Sequence, residues 1–102
     1  MTPAARIGDT VLVTHPNCGQ STTICLTGSP NVFINGIPSH RFGDVNAPHL
    51  LKVGLICIPH QTSLISGSFN VFVNGLPMGK VGSSYSCGAT VIAGSPNVFV
   101  GG

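Results

Sequence analysis

Charge is what this chain has least of. Of 102 residues, four are Lys or Arg and two are Asp or Glu, 6% in all, against roughly 25% in an ordinary soluble domain. The two acids, Asp9 and Asp44, are too few and too far apart in sequence to supply the paired carboxylates of acid–base hydrolysis. The four cations, Arg6, Arg41, Lys52 and Lys80, are scattered rather than clustered, which argues against a phosphate-tracking groove and against nucleic acid as a partner. No apolar run approaches the ~20 residues of a membrane helix; the longest, Leu50 to Pro59, is broken by Lys52 and Gly54. The opening Met-Thr-Pro-Ala-Ala-Arg-Ile-Gly-Asp has no apolar core of a signal peptide, so a product made in the cytosol without a leader is expected.

With so few charges, the surface must consist of Ser, Thr, Asn, Gly and apolar groups. Such a surface suits a protein docked in a larger assembly better than a free monomer. The length allows one domain, residues 1–102, at a size where a hydrophobic core alone gives marginal stability and a staple is expected. Four cysteines, Cys18, Cys25, Cys57 and Cys87, could make two disulfides, but a leaderless product favours reduced thiols or metal ligands. Fourteen Gly and eight Pro interrupt any helical period, which leaves strands.

What the chain does have is repetition. Gly-Ser-x-Asn-Val-Phe-[Ile/Val] opens at Gly28, Gly67 and Gly94, and Pro-x-x-[Arg/Lys]-x-Gly-[Asp/Ser] opens at Pro3, Pro38 and Pro77. Three copies of one supersecondary unit in a single small domain make a pseudo-threefold object. In two copies the apolar strand runs into Asn35-Gly36 or Asn74-Gly75 and then into Ile37-Pro38 or Leu76-Pro77. Asn-Gly between such runs is a strong hairpin signal, because both central residues of a type I′ turn need positive φ. The third copy stops at Gly101-Gly102, and its return segment, Pro3 to Asp9, lies at the amino terminus. The repeat is therefore expected to close into a ring across the chain ends, removing two sheet edges. The inserts Thr14 to Thr23 and Val45 to Pro59 read as loops. Asp9 and Asp44 read as turn-forming acceptors of backbone N–H groups, with Arg6 and Arg41 as partners.

The repeat also organises the metal-capable side chains. His60 lies seven residues before Gly67 and Cys87 seven before Gly94; a six-residue insertion puts the comparable residue of the first copy at His15, thirteen before Gly28. One such group per unit converges on a threefold axis, and a tetrahedral ion then wants one more. His40 is the candidate, because its counterparts are Ala5 and Gly79 and it breaks the pattern once. A His₃Cys set of His15, His40, His60 and Cys87 suits zinc, with iron second. A local alternative is a Cys₂His₂ site from His15-x-x-Cys18 and Cys57-x-x-His60, each spaced like half a zinc finger. The repeat-derived set is preferred because it explains why Cys87 stands where His60 does. His49 and Cys25 read as packing residues, Cys25 being buried.

Pro3-Ala4-Ala5-Arg6 is the tetrapeptide that names the PAAR-repeat proteins, and the resemblance runs on through Asn35-Gly36-Ile37-Pro38-Ser39-His40-Arg41-Phe42-Gly43-Asp44 and the three Gly-Ser-x-Asn-Val-Phe phrases. It implies an all-β fold, a small pseudo-threefold cone of three β-hairpin repeats with a metal near the apex. It further implies a structural role without catalysis: the base caps a homotrimeric β-helical spike, one cone per trimer, and the apex makes transient contact with a target membrane. The spike would be a VgrG-like needle of a type VI secretion system or the central spike of a contractile phage tail, where the assembled tip would reside. The resemblance places the metal ligands on His15, His40, His60 and Cys87. The sequence departs from the pattern at Pro77 to Ser83, where Lys80 and Ser83 replace Arg and Asp and no salt bridge is expected. With no toxin domain in the sequence, an adaptor for separate cargo effectors is the alternative to a bare tip. A zinc hydrolase is disfavoured by the shortage of carboxylates.

Overall fold

Asparagine and glycine decide where this chain turns. The computed structural model describes residues 1–16, 18–19 and 21–101. Among them are no helices and eleven short strands. These are β1 (Thr2–Pro3), β2 (Thr10–Leu12), β3 (Thr22–Ile24), β4 (Phe33–Ile34), β5 (Ile37–Pro38) and β6 (His49–Val53). They continue with β7 (Ile56–His60), β8 (Phe72–Val73), β9 (Leu76–Pro77), β10 (Thr90–Val91) and β11 (Phe99–Val100). Asn35 and Gly36 take φ of 56° and 77°, and Asn74 and Gly75 take 54° and 78°. Both hairpins, β4–β5 and β8–β9, are thus turned by the left-handed pairs that a type I′ turn requires.

The third hairpin is made by the two ends of the chain. β11 pairs antiparallel with β1, setting Phe99 opposite Pro3 as Phe33 lies opposite Pro38 and Phe72 opposite Pro77. The three units then close on one another: Arg6 bridges Ser39, Arg41 bridges Met78, and Lys80 bridges Ala4. Their centre is a cycle of three backbone hydrogen bonds, in which the Ala5 N–H donates to Gly79, the Gly79 N–H to His40, and the His40 N–H to Ala5, at 2.8–3.0 Å. Each of these residues satisfies the next, so no backbone group on the axis is orphaned.

The repeated phrases have mechanical reasons. Gly28, Gly67 and Gly94 each pass so close to a neighbouring strand that a Cβ would meet the carbonyl oxygen of Ser39, Met78 or Ala4 at 2.6–2.8 Å. The next residue of each phrase, Ser29, Ser68 or Ser95, accepts from the backbone N–H of Val32, Val71 or Val98 at 2.9–3.0 Å and holds the turn that opens the strand. In the second phrase, Asp9 and Asp44 accept from the backbone N–H and the guanidinium of Arg6 and Arg41. Burial alone would raise the Asp44 carboxyl, but hydrogen bonds from Arg41 and Thr27 outweigh it and hold it below the usual carboxylate range. After hairpin β8–β9, Ser83 Oγ takes the same N–H from Lys80, without an ion pair.

Two apolar layers stack between the units. Ala4, Ile34, Val73, Met78 and Val100 fill the space among the hairpins. Ala5, Val11, Cys25, Leu64, Tyr85, Ala89 and Val91 form the other layer, with the sheet β10-β2-β3 beside it. One expectation fails here. The insert Val45 to Pro59 is not a loop: β6 and β7 pair over five residues from His49–His60 to Val53–Ile56. The turn is the two residues Gly54-Leu55, with Gly54 at φ 60°, and glycine in the first central position is the other route to a tight hairpin.

Candidate metal centre

Hairpin β6–β7 starts at the site of interest. Its first pair is His49 opposite His60, and cross-strand partners in an antiparallel ladder stand close enough for their side chains to meet. His15 arrives from the stretch between β2 and β3, and Cys87 from the short connection before β10. The donor atoms of His15, His49, His60 and Cys87 all lie within 4.8 Å of one another. The His15 and His49 rings stack with centroids 5.1 Å apart, and His60 stands edge-on to both at 4.8 and 5.0 Å.

The ring tautomers of this cluster turn two lone pairs toward each other. His15 donates from Nδ1 to the Pro16 carbonyl at 2.9 Å, and His49 donates from Nδ1 to the Ala47 carbonyl at 3.0 Å. A neutral imidazole that donates through Nδ1 carries its lone pair on Nε2. Yet the two Nε2 atoms face each other at 3.0 Å, where neither can donate to the other. His60 Nε2 is buried and has no hydrogen-bond partner among the described residues. Burial, together with the nearby His15 and His49, holds the His60 pKa below its ordinary value. A metal ion placed among these nitrogens could take their lone pairs together. The 3.0 Å separation is near the roughly 3.3 Å edge between two nitrogens around a tetrahedral ion with 2.0–2.1 Å bonds.

The surrounding contacts would suit metal ligation. Carbonyl acceptors on Nδ1 fix the tautomer and aim Nε2 inward. Thr62 Oγ1 lies 3.1 Å from Cys87 Sγ and can donate to a thiolate; Thr62 is itself held by Asn46, which is fully buried. The cluster could therefore hold a metal ion, and three imidazoles with one thiolate are borderline-soft donors.

Of the four residues singled out in the sequence, the structure brings His15, His60 and Cys87 together and places His40 elsewhere. His40 is fully buried, with Nδ1 donating to the Thr27 carbonyl and Nε2 accepting from the Tyr85 hydroxyl, both at 2.7 Å. Burial pushes its pKa below the ordinary histidine value. Cys25 completes this group, its sulfur 3.5 Å from the Tyr85 oxygen, and burial lifts its thiol to about 12. The asymmetry of His40 against Ala5 and Gly79 is steric in origin. Where three backbones close on one axis, a Cβ at Gly79 would already meet the His40 carbonyl at 2.8 Å, and one large side chain uses the space that Ala and Gly leave. The fourth donor of the cluster is His49 instead, which reads from sequence as a packing residue. A turn at Gly54-Leu55 is what pairs it with His60, and that turn is the signal that could have found it.

The half-finger alternative is displaced as well. Cys18 and Cys57 are joined in a disulfide across 39 residues, against the expectation of reduced thiols, while Cys25 and Cys87 are free. Two comparisons bear on identity. The family model described as the PAAR motif matches residues 20–93. No curated protein matches the chain.

Proposed function

Since the chain belongs to the PAAR-motif family, we propose that it is the tip of a spike, capping a trimeric β-helical needle of a secretion apparatus or contractile phage tail. The observation that carries this reading is the closed pseudo-threefold ring built from one chain. A trimeric needle ends in three equivalent sets of unpaired strand groups, and a single chain with three equivalent units can meet all three at once. Phe33, Phe72 and Phe99, at matching positions of the three hairpins, are about half exposed. They offer a threefold partner one aromatic contact per protomer, of the kind that dominates interface energetics.

At the metal cluster the symmetry is broken, and hairpin β6–β7 ends in an apolar tip. Leu55 is 99% exposed, and Val53, Ile56 and Ile58 are exposed beside it. This is the part suited to meet a lipid surface at the narrow end of a cone, where the single charge Lys52 can snorkel. The ion is zinc, bound by His15, His49, His60 and Cys87 in a closed four-ligand set of structural type. The role is structural rather than catalytic: both carboxylates of the chain are engaged by arginines, so none is available as a base at the cluster.

The test is co-purification with candidate trimeric spike proteins, with native mass spectrometry of the complex. One copy of this chain per three spike chains is expected. A chain that stays monomeric beside every such trimer, or binds three copies per trimer, overturns the reading.

A further inference from the structure

His15 is the candidate ligand with the least secondary structure around it. His49 and His60 lie in paired strands, and Cys87 is tied to Thr62. His15 stands between β2 and β3, in residues 13–21, where the described residues form no strand. Among the described residues, a backbone hydrogen bond and a disulfide tie this stretch to hairpin β6–β7. The Lys52 N–H donates to the Pro16 carbonyl at 3.0 Å, and Cys18 is bonded to Cys57. Lys52 and Cys57 are register partners, so both ties fall on one rung of the hairpin, three residues from each of His49 and His60. Thr14 Oγ1, which donates to the Gly88 carbonyl, and the Val13 N–H, which donates to Ser21, hold the stem of the loop rather than its reach toward the hairpin.

Resting on the reading of His15, His49, His60 and Cys87 as metal ligands, we propose that the Cys18–Cys57 cross-link is the positioning element that presents His15 to the ion, so that metal affinity depends on the oxidation state of this pair. Cys57 is exposed, which gives a reductant access. A dithiol reductant breaks the S–S bond by exchange: two electrons and two protons pass to Cys18 and Cys57, which become thiols, and the reductant closes to its own cyclic disulfide. One backbone hydrogen bond then remains at that rung. The His15 imidazole loses the covalent part of its approach, while His49, His60 and Cys87 keep theirs. Loss of an orienting partner around a metal site typically weakens affinity about 10–100-fold. Oxidation after synthesis would thus lock in the ion.

The experiment is competition for zinc between the full chain and a chromophoric chelator, in the oxidised form and after reduction by a non-chelating phosphine, with cobalt(II) spectra to count thiolate ligands. The reduced chain and the Cys18→Ser/Cys57→Ser variant should both bind about 10–100-fold more weakly than the oxidised chain, with one thiolate on cobalt in every case. In a His15→Ala background, reduction should change the affinity little, because the cross-link acts through His15; a merely structural disulfide would still weaken binding there. Circular dichroism confirms that the reduced chain remains folded; should it unfold outright, the cross-link is a global staple and the proposal fails. Equal affinities in the two redox states overturn the proposal while leaving the site intact. Tighter binding on reduction with added thiolates also overturns it, in favour of Cys18 and Cys57 as ligands. An oxidised chain that binds no metal overturns the site reading itself, and the lock with it.

Discussion

Removing one oxygen atom, with Tyr85→Phe, separates the two histidine environments of this molecule. The Tyr85 side chain is 1% exposed, and its hydroxyl donates to His40 Nε2 at 2.7 Å. His40 Nδ1 is committed to the Thr27 carbonyl, so Nε2 can only accept. The substitution keeps the ring that packs at a centroid distance of 5.9 Å from His40 but leaves a buried acceptor with no partner. Such an orphan costs about 1–3 kcal/mol. At about 2.1 cal/mol/K of unfolding entropy per residue, a chain of this size loses about 5 °C of melting temperature per kcal/mol. The expected drop is therefore about 5–15 °C by calorimetry on the zinc-loaded protein at pH 7.5. Zinc content, read by elemental analysis, should not change, because neither residue belongs to the cluster. A drop under about 2 °C would refute the hydrogen-bond argument. Lost zinc would show that His40 reaches the ion after all.

The remaining expectations concern the ligands, the pH response and the close approach of the units. His15→Ala, His49→Ala, His60→Ala and Cys87→Ala should each lose most bound zinc after dialysis against a weak chelator, whereas His40→Gln should retain it; zinc retained in His49→Ala would dismiss that residue as the fourth donor. The pKa values of His40 and, in the metal-free chain, His60 are lowered on folding. The unfolded chain therefore takes up protons first as pH falls below about 6.5. Urea unfolding of the metal-free chain should show stability declining from pH 6.5 downward by as much as ~1.4 kcal/mol per unit for buried His40, and by less for the more exposed His60, until the folded-state values are passed. Stability that is flat or rises between pH 6.5 and 5 contradicts the assignment of a neutral, buried His40 ring. Gly94→Ala would set a Cβ 2.6 Å from the Ala4 carbonyl oxygen and 2.9 Å from Pro3 Cβ; this overpacking should cost about 1–3 kcal/mol, and a melting temperature within about 2 °C of the parent would speak against a rigid contact there.

Repetition makes the ring legible in the amino-acid sequence. Asn35-Gly36 and Asn74-Gly75 name two hairpins, and the displaced Pro3-to-Asp9 phrase names the third, because each unit carries the same local turn chemistry. Ser83 in place of Asp44 is legible too, as a turn without an ion pair. What escapes is whatever the repeat does not contain. Hairpin β6–β7 has no counterpart in the third unit, and Gly54-Leu55 is a weaker turn signal than Asn-Gly, so Lys52 and Gly54 mask its strands. His49 goes with it. The Cys18–Cys57 bond joins two inserts and depends on their meeting in space, which an argument from compartment cannot report. His40 misleads for a different reason: a break in symmetry reads as chemistry, when the crowding at Ala5 and Gly79 accounts for it.

That contrast shows how symmetry and its loss divide the molecule. A true trimer can place donors on its axis only in threes, and a tetrahedral ion needs a fourth from somewhere else. Here the connections of the three units bring His15, His60 and Cys87 together, and hairpin β6–β7 adds His49 by pairing it across from His60. One chain with three unequal units can thus build a four-donor centre that three equal chains cannot, while its hairpins β1–β11, β4–β5 and β8–β9 stay equal enough to close the ring. The same inserts carry the disulfide and the exposed apolar tip at Leu55. Duplication supplied the scaffold, and the inserted segments, free of the constraint that three copies must fit together, supplied everything that distinguishes one end of the molecule from the other.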